Sequence, residues 1–304
     1  MAYHFEKLSD RQRADLSRAR AESWRGPLSV DEFIARNECH YAHPYGRTIQ
    51  TFGLFEGEKL QASLDALPLP LLVTDGKGHV ATVENWHLAS VLTLPAFRKQ
   101  GVGSALIRAY FDHQKPTWST LFSGIGAAFY ERFGYHVSPA WHVQQAAVAS
   151  KTRPWQVTEI DAAAFDTAQT HFRKQLLLKS SVPVAAFSPG LLWWDWYAEI
   201  YGYFASLRKH AVARGRFWRV ESDAPTAWVA GLENWASGHF DVWWVSREEP
   251  AVTDFLCDFA FSQGLSHANW WTHAPAPGAK AMAPMLRGPT GARPLLDSQL
   301  GDWW

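Results

Sequence analysis

One segment in the first half of the chain constrains the fold most, because it combines a strand, a glycine-rich loop and a helix in that order. Residues 86–94 predict an apolar strand, and residues 104–113 predict a helix. Between them, residues 98–103 form the pattern R-x-x-G-x-G, in which Gly101 and Gly103 have no Cβ and allow a tight turn. Backbone N–H groups at a helix N-terminus of this kind can hold a pyrophosphate.

The neighbouring residues predict a complete α/β domain around this unit. Downstream, residues 118–123 predict a strand and residues 125–133 a helix, which carries Tyr130 four residues before Gly134. The other predicted strands of this half lie at 2–8, 48–55, 61–74 and 79–94, with a last strand at 142–149. Helices are predicted at 10–22 and 30–40, with Ser9 and Ser29 as their N-cap residues.

The loop and the tyrosine segment together resemble the GCN5-related N-acetyltransferase (GNAT) family. Residues 98–103 match that family's acetyl-CoA loop, Q/R-x-x-G-x-G/A, and residues 130–135 match its later Tyr-x-x-x-Gly-aromatic segment. The resemblance covers residues 1–150. It implies an α/β fold with a mixed sheet, a catalytic GNAT domain over these residues, and acetyl-CoA as the cosubstrate.

A closer resemblance is to the LYC1-type lysine N-acetyltransferases of fungi. Residues 87–95 and 121–130 carry it, although Gly124 stands where those proteins often have Asp, and this chain is shorter. The resemblance implies that the acceptor is a small primary amine, such as the side chain of free lysine or of a related amino acid.

The second half of the chain predicts a similar order of elements without the glycine loop. A strand at 156–159 and a helix from Asp161 are followed by a loop at 183–189 and a helix at 191–207. Strands at 216–222, 226–233 and 239–245, a helix at 249–263, a strand at 267–273 and a helix at 279–286 complete the series. We therefore expect residues 155–304 to form a degenerate second GNAT-like domain that roofs the acceptor site.

Aromatic residues are concentrated in this second half. The chain has 17 tryptophans, and so many indoles indicate an aromatic-lined cleft as well as a core. Adjacent residues on a strand point to opposite faces, so at most one member of each Trp pair should line the cleft. The candidates are Trp193, Trp194, Trp196, Tyr197, Trp243, Trp244, Trp270 and Trp271.

Composition argues against several classes of partner. The formal net charge is zero and no long basic face is present, which argues against nucleic acid. No apolar run reaches the roughly 20 residues of a membrane span. Cys39 and Cys257 lie far apart and give no metal spacing, and the N-terminus has no signal-peptide core, so we expect a cytoplasmic protein without a metal. Whether the chain forms a homodimer stays open.

The GNAT resemblance implies a set of residues that hold acetyl-CoA. The amides of residues 100–104 would hold the pyrophosphate, with positive charge from Arg98 and Lys99. The pantetheine arm would lie beside residues 92–94 like an extra strand, where the N–H of Leu92 would polarise the thioester carbonyl. The predicted cofactor-binding residues are Leu92, Leu94, Arg98, Lys99, Gln100, Gly101, Val102, Gly103 and Ser104.

The resemblance also implies catalytic candidates. Tyr130 occupies the position of the family's general acid. His87 on the strand before the loop is the first candidate for the base, because an imidazole titrates near neutral pH. Glu84 is a rival, and so is the C-terminal carboxylate of Trp304, since Eis-type tandem enzymes place their chain terminus in the active site. A water relay without a protein base stays open.

The sequence thus favours an acetyl-CoA-dependent N-acetyltransferase that acts by direct attack of the amine on the thioester. Two alternatives remain: a non-catalytic protein that binds or senses acyl-CoA, and an Eis-like acetyltransferase of aminoglycosides or polyamines.

Overall fold

The computed structural model describes residues 3–26, 28–123, 126–138, 140–151, 155–207, 216–222, 225–234, 238–247, 249–272, 278–282, 284–288 and 293–294. Within these ranges, no helix is long and apolar enough to cross a membrane. The helices are α1 (Asp10–Trp24), α2 (Val30–Ala42), α3 (Val102–Gln114), α4 (Ala128–Glu131), α5 (Ala162–Leu178), α6 (Leu191–Leu207) and α7 (Pro250–Ser262).

The strands form three sheets. The first sheet has the order β1-β2-β3-β6-β7-β17-β8, the second β10-β12-β13-β14-β15-β9-β16, and the third β18-β11-β4-β5. The strands are β1 (Tyr3–Lys7), β2 (Gln50–Glu56), β3 (Lys59–Pro68), β4 (Leu71–Thr74), β5 (Val80–Val83), β6 (Trp86–Thr93), β7 (Ser119–Phe122), β8 (His136–Val137), β9 (Ala140–Ala146), β10 (Gln156–Ile160), β11 (Val184–Phe187), β12 (Arg216–Glu221), β13 (Ala227–Asn234), β14 (His239–Val245), β15 (His267–Thr272), β16 (Lys280–Met282), β17 (Pro284–Arg287) and β18 (Arg293–Pro294).

The first and second sheets exchange strands. β17 comes from the second half of the chain but lies between β7 and β8 in the first sheet, where Met285 pairs with Leu121. Conversely, β9 comes from the first half of the chain but pairs with β15 in the second sheet. The prediction of a helix at 279–286 is therefore wrong. The strand predicted at 142–149 as the last of the first half is β9, which joins the second sheet instead.

Two long predicted strands are each broken in two. Residues 61–74 separate into β3 and β4, and residues 79–94 into β5 and β6. Pro68 and Pro70 stand at the first break, where they lack the N–H that a ladder needs. β4 and β5 form a hairpin outside the first sheet, and β4 pairs with β11. Residues 184–187 are therefore a strand where the sequence predicted a loop.

Helices cover both faces of the first sheet. Leu64 and Ala66 of β3 pack in one core cluster with Leu106 and Tyr110 of α3. Side chains alternate along a strand, so Asp65 between them points to the opposite face, which α1 and α2 cover. The predicted serine caps are present. At α2, the Ser29 hydroxyl accepts a hydrogen bond from the Glu32 amide at 3.2 Å. In the other direction, the Glu32 carboxylate accepts one from the Ser29 amide at 2.7 Å.

Most of the candidate tryptophans that the structure describes are buried in a core. Trp243 and Trp244 both belong to the same buried cluster, although adjacent strand residues should face opposite ways. A β-bulge explains this, because Trp244 pairs with Ala230 and Val242 with Gly231, which leaves Trp243 as the extra residue. The prediction of opposite faces is wrong for this pair.

Candidate functional site

The glycine loop ends at the N-terminus of α3, as predicted. Gly101 is the N-cap residue and has a φ of +82°, a left-handed conformation that other residues adopt at a cost. The amides of Gly101, Val102 and Gly103 precede the first helical hydrogen bonds and are free to bind an anion. Ser104 differs, because its amide donates to the Gly101 carbonyl at 3.0 Å.

Exposed cations surround this helix N-terminus. Arg98, Lys99 and Gln100 are exposed on the loop, where Arg98 Nε donates to the Thr93 carbonyl at 3.2 Å. Arg132, which follows α4, donates to the Ser104 hydroxyl at 2.7 Å. Arg132 was not predicted from the sequence, where its only signal is its position two residues before Gly134. The arrangement gives an anion site with charge from two segments of the chain.

Next to this site, β6 and β7 diverge. They pair in parallel only from Trp86 to Leu88 of β6, whereas β6 continues to Thr93. Among the described residues, no strand pairs with the rest of β6 on that side. On the other side, β6 bulges at Ser90, which has a φ of +51° where the register with β3 shifts. The open edge of β6 can pair with an extended chain.

The direction of the β6 amides corrects the predicted thioester contact. The N–H of Leu94 donates to Gln61 of β3 at 2.9 Å. Because these directions alternate along a strand, the N–H of Leu92, which pairs with Ser63, also faces β3. The amides of Val91 and Thr93 face the open side instead. Leu92 and Leu94 therefore offer no free N–H, and Val91 and Thr93 take their place.

Tyr130 lies in α4, close to the glycine loop. Phe129 beside it approaches the position of a Cβ on Gly103 to 3.6 Å. Tyr130 is 5% exposed, and within the described residues its hydroxyl makes no hydrogen bond. Burial raises the pKa of Tyr130 to about 12, so this hydroxyl keeps its proton at neutral pH and is a donor.

The three candidate bases are placed differently. His87 is 1% exposed, with Nδ1 3.0 Å from Thr120 Oγ1, and burial lowers its pKa to about 3. An imidazole with so low a pKa is a weak proton acceptor, and the side chain of His87 is buried from solvent. Both properties argue against His87 as the base. Glu84 is exposed in the turn between β5 and β6. Trp304 lies outside the described residues.

A cavity of about 60 Å³ opens beside the bulge, on the face of the first sheet that α1 and α2 cover. Its wall includes Ala89 and Ser90 of the bulge, Arg20 of α1, His40 of α2 and Trp196 of α6. Trp196 stacks on His40 with ring centroids 4.3 Å apart and donates through Nε1 to the His40 carbonyl at 3.1 Å. The second half of the chain thus contributes a wall to a cavity of the first.

Of the eight aromatic candidates from the sequence, Trp196 lines this cavity. The side chain of Trp271 lies outside the described residues. The others are buried in the cores: Trp193, Trp194, Tyr197, Trp243, Trp244 and Trp270.

His40 brings a neutral imidazole to the cavity. Burial, and next the positive charge of Arg36, holds the pKa of His40 well below 6.5. Its Nε2 is buried and has no hydrogen-bond partner among the described residues.

The part of the chain that the structure describes contains no group of three His, Cys, Asp or Glu side chains that could hold a metal ion.

A buried ion pair forms the inner wall of the cavity. Arg20 donates to both oxygens of Asp65, at 2.8 and 3.1 Å. The hydroxyls of Tyr41 and Thr51 donate to the same carboxylate at 3.0 and 2.7 Å. Each Asp65 oxygen thus accepts two hydrogen bonds, which saturates the carboxylate and fixes Arg20 in place.

Comparison with protein families shows a match over part of the chain. Residues 71–137 match the acetyltransferase (GNAT) domain, a segment that runs from β4 to β8 and includes the loop, the divergence and α4. No curated protein matches the chain in sequence.

Solved structures resemble nearly the whole chain. A GCN5-related N-acetyltransferase from Kribbella flavida is 17% identical with a TM-score of 0.60, over 94% of this chain and 72% of that one. Eis1 from Mycobacterium abscessus is 15% identical with a TM-score of 0.51, over 94% and 73% of the two chains. A tandem GNAT protein from the clavulanic acid biosynthesis pathway is 14% identical with a TM-score of 0.51, over 95% and 100%.

These similarities confirm the predicted fold class, a mixed α/β architecture with a tandem GNAT arrangement. Residues 71–137 carry the acetyltransferase (GNAT) domain, and the solved structures share the fold of nearly the whole chain.

Proposed function

We propose that the chain transfers the acetyl group of acetyl-CoA to a small primary amine, such as the side-chain amine of free lysine or of a related amino acid. The observation that carries this proposal is the position of the cavity. Its wall reaches Ala89 and Ser90, at the point where β6 leaves β7 and presents an open edge. An amine in the cavity would meet a thioester held along that edge.

The residues of the chain suit acetyl-CoA in two places. The amides of Gly101, Val102 and Gly103, with Arg98 and Arg132 beside them, suit the pyrophosphate. The outward amides of Val91 and Thr93 suit the carbonyl groups of the pantetheine arm and of the thioester.

Transfer needs one bond to form and one to break. The amine nitrogen bonds to the thioester carbonyl carbon, the C–S bond breaks, and the proton that the amine loses balances the thiolate of CoA. We propose that Tyr130 donates a hydrogen bond to the departing sulfur. With His87 buried, a proton path through water in the cavity replaces the predicted histidine base.

We propose a division of labour between the two halves of the chain. Residues 1–150 carry the acetyl-CoA site, and residues 155–304 roof the acceptor site. Trp196 supports this, because it reaches the cavity from α6. The strand exchange means that these are functional halves rather than separate folding units. We also propose that the protein acts in the cytoplasm.

A second candidate acceptor class comes from the Eis1 structure, whose fold this chain shares. An Eis-like enzyme would acetylate aminoglycosides or polyamines at the same acetyl-CoA site. The two candidates differ only in the acceptor.

The release of CoA thiol from acetyl-CoA tests both candidates across amino acids, polyamines and aminoglycosides, with mass spectrometry of the N-acetyl product. We expect turnover that depends on the acceptor and is highest with lysine or another amino acid. Turnover with aminoglycosides or polyamines alone would favour the Eis-like candidate. Binding of acetyl-CoA without transfer to any acceptor would indicate an acyl-CoA sensor.

The Gly101→Ala variant should raise KM for acetyl-CoA about tenfold, because an alanine in the left-handed conformation costs about 1–2 kcal/mol. Steady-state kinetics at saturating acceptor measure this. Gly78→Ala is the matched control: Gly78 has a φ of +88°, and a Cβ at either glycine meets no atom within 4 Å. Both variants should lose similar stability, but only Gly101→Ala should change KM. Equal KM values in the two would contradict the assignment of the loop.

A further inference from the structure

The cavity wall beside the bulge carries a net positive charge. Among its lining residues, Arg20 and Arg36 are cationic and Asp65 is anionic, while His40 is neutral. The Asp65 carboxylate already accepts four hydrogen bonds from Arg20, Tyr41 and Thr51. It therefore has no free lone pair for a substrate ammonium.

The Nε of Arg20 is an unused donor nitrogen among the described residues. Its side chain is 3% exposed, and Nε has no hydrogen-bond partner among the described residues. A buried guanidinium N–H without an acceptor is costly, and an oxygen from a ligand would satisfy it. Because Asp65 pairs with Ala89 of β6, Arg20 lies within one side chain of the bulge.

The aromatic rings of the wall already face the protein's own cations and imidazole. Arg20 lies over Trp24, Arg36 over Phe33 and Arg13 over Tyr41, at 6.0, 4.5 and 4.3 Å from the ring centroids. His40 stacks on Trp196. These rings would otherwise bind a cationic ligand through their faces. The wall is thus unsuited to a polycation.

We propose that the acceptor carries a carboxylate that binds Arg20, so that the enzyme selects amino acids over the corresponding amines. The inference rests on the proposed function and deepens it. The same positive wall favours the uncharged form of the acceptor amine, which is the form that attacks the thioester.

Matched acceptor pairs test the inference, since decarboxylation removes the carboxylate and keeps the amine chain. We expect kcat/KM for lysine to be at least about tenfold higher than kcat/KM for cadaverine. The same difference should separate ornithine from putrescine. Equal values within each pair would overturn the inference and leave the proposed function intact. No transfer to any acceptor of the wider panel would overturn the proposed function, and the inference with it.

The Arg20→Lys variant locates the selectivity. It retains the charge opposite Asp65 but loses the Nε donor, so the lysine-to-cadaverine ratio of kcat/KM should fall at least about fivefold. Arg13→Lys is the control, because Arg13 stacks on Tyr41 but does not line the cavity. If Arg20 has a purely structural role, the variant should lower kcat/KM for lysine and for cadaverine by the same factor, and their ratio should not change.

If Arg20→Lys does not fold, the matched acceptor pairs on the unmodified chain still test the inference, because equal kcat/KM values within each pair overturn it. If Arg20→Lys folds, an unchanged lysine-to-cadaverine ratio would overturn the assignment of the carboxylate to Arg20.

Discussion

Replacing Tyr130 by phenylalanine should lower kcat about a hundredfold and leave KM for acetyl-CoA nearly unchanged, because the hydrogen bond that we propose from its hydroxyl to the departing sulfur stabilises charge only as the C–S bond breaks. The raised pKa of Tyr130, about 12, defines how it acts. A thiol has an ordinary pKa of about 8.5, so complete proton transfer from this hydroxyl to the thiolate is unfavourable. A donated hydrogen bond is the contribution that remains.

Tyr110→Phe is the matched control for this variant. It removes the same single oxygen from a fully buried tyrosine of α3, whose hydroxyl has no partner among the described residues. We expect it to keep wild-type kcat. Because the donor form of Tyr130 persists up to about pH 12, the hundredfold difference should be constant from pH 6 to 10. Normal turnover in Tyr130→Phe would contradict the assignment.

The parts of the site that the sequence predicted are those encoded by neighbouring residues. The loop, its two glycines and the start of α3 follow from one continuous pattern, and the structure places them as expected. The predicted helix caps at Ser9 and Ser29 are equally local, because the partner of each serine lies three residues away. Local steric and hydrogen-bond rules decide such elements.

The thioester contact depends on register, which the sequence does not carry. Whether Leu92 or Thr93 faces the open edge is decided by the pairing of β6 with β3 and by the bulge at Ser90. A shift of one residue exchanges the two directions. Ser90 gives no sequence signal for a bulge, since a serine with positive φ is uncommon.

The cavity beside the bulge was not predicted from the sequence, because its residues are distant along the chain. Arg20 and Asp65 are separated by 45 positions. Arg20 lies on a polar helix that resembles a solvent-exposed one, and Asp65 interrupts an apolar strand by a single residue. Their pairing appears only when α1 packs on the first sheet. Trp196 could be proposed as a wall residue from composition, but not distinguished from its buried neighbours.

The strand exchange leads to the prediction with the largest effect on stability. A chain that ends at residue 282 lacks β17, which fills the gap between β7 and β8 in the first sheet. Met285 and Leu286 are each 1% exposed, and burial of two such side chains contributes about 4 kcal/mol. We expect this chain to lose at least that much free energy of unfolding, or to be insoluble. Urea denaturation followed by circular dichroism measures the loss.

A chain that ends at residue 288 is the control, because it keeps β17 and lacks only the residues after it. It should unfold cooperatively at a clearly higher urea concentration than the chain that ends at 282. The fragment 1–150 should behave like the shorter chain, since it lacks β17 and leaves β9 without its partner β15. Equal midpoints for the chains that end at 282 and 288 would mean that β17 is dispensable. A fragment 1–150 that folds alone would make the strand exchange an addition to two independent domains. We expect neither, because β17, which the second half supplies, pairs the backbone N–H and C=O groups at the edge of β7.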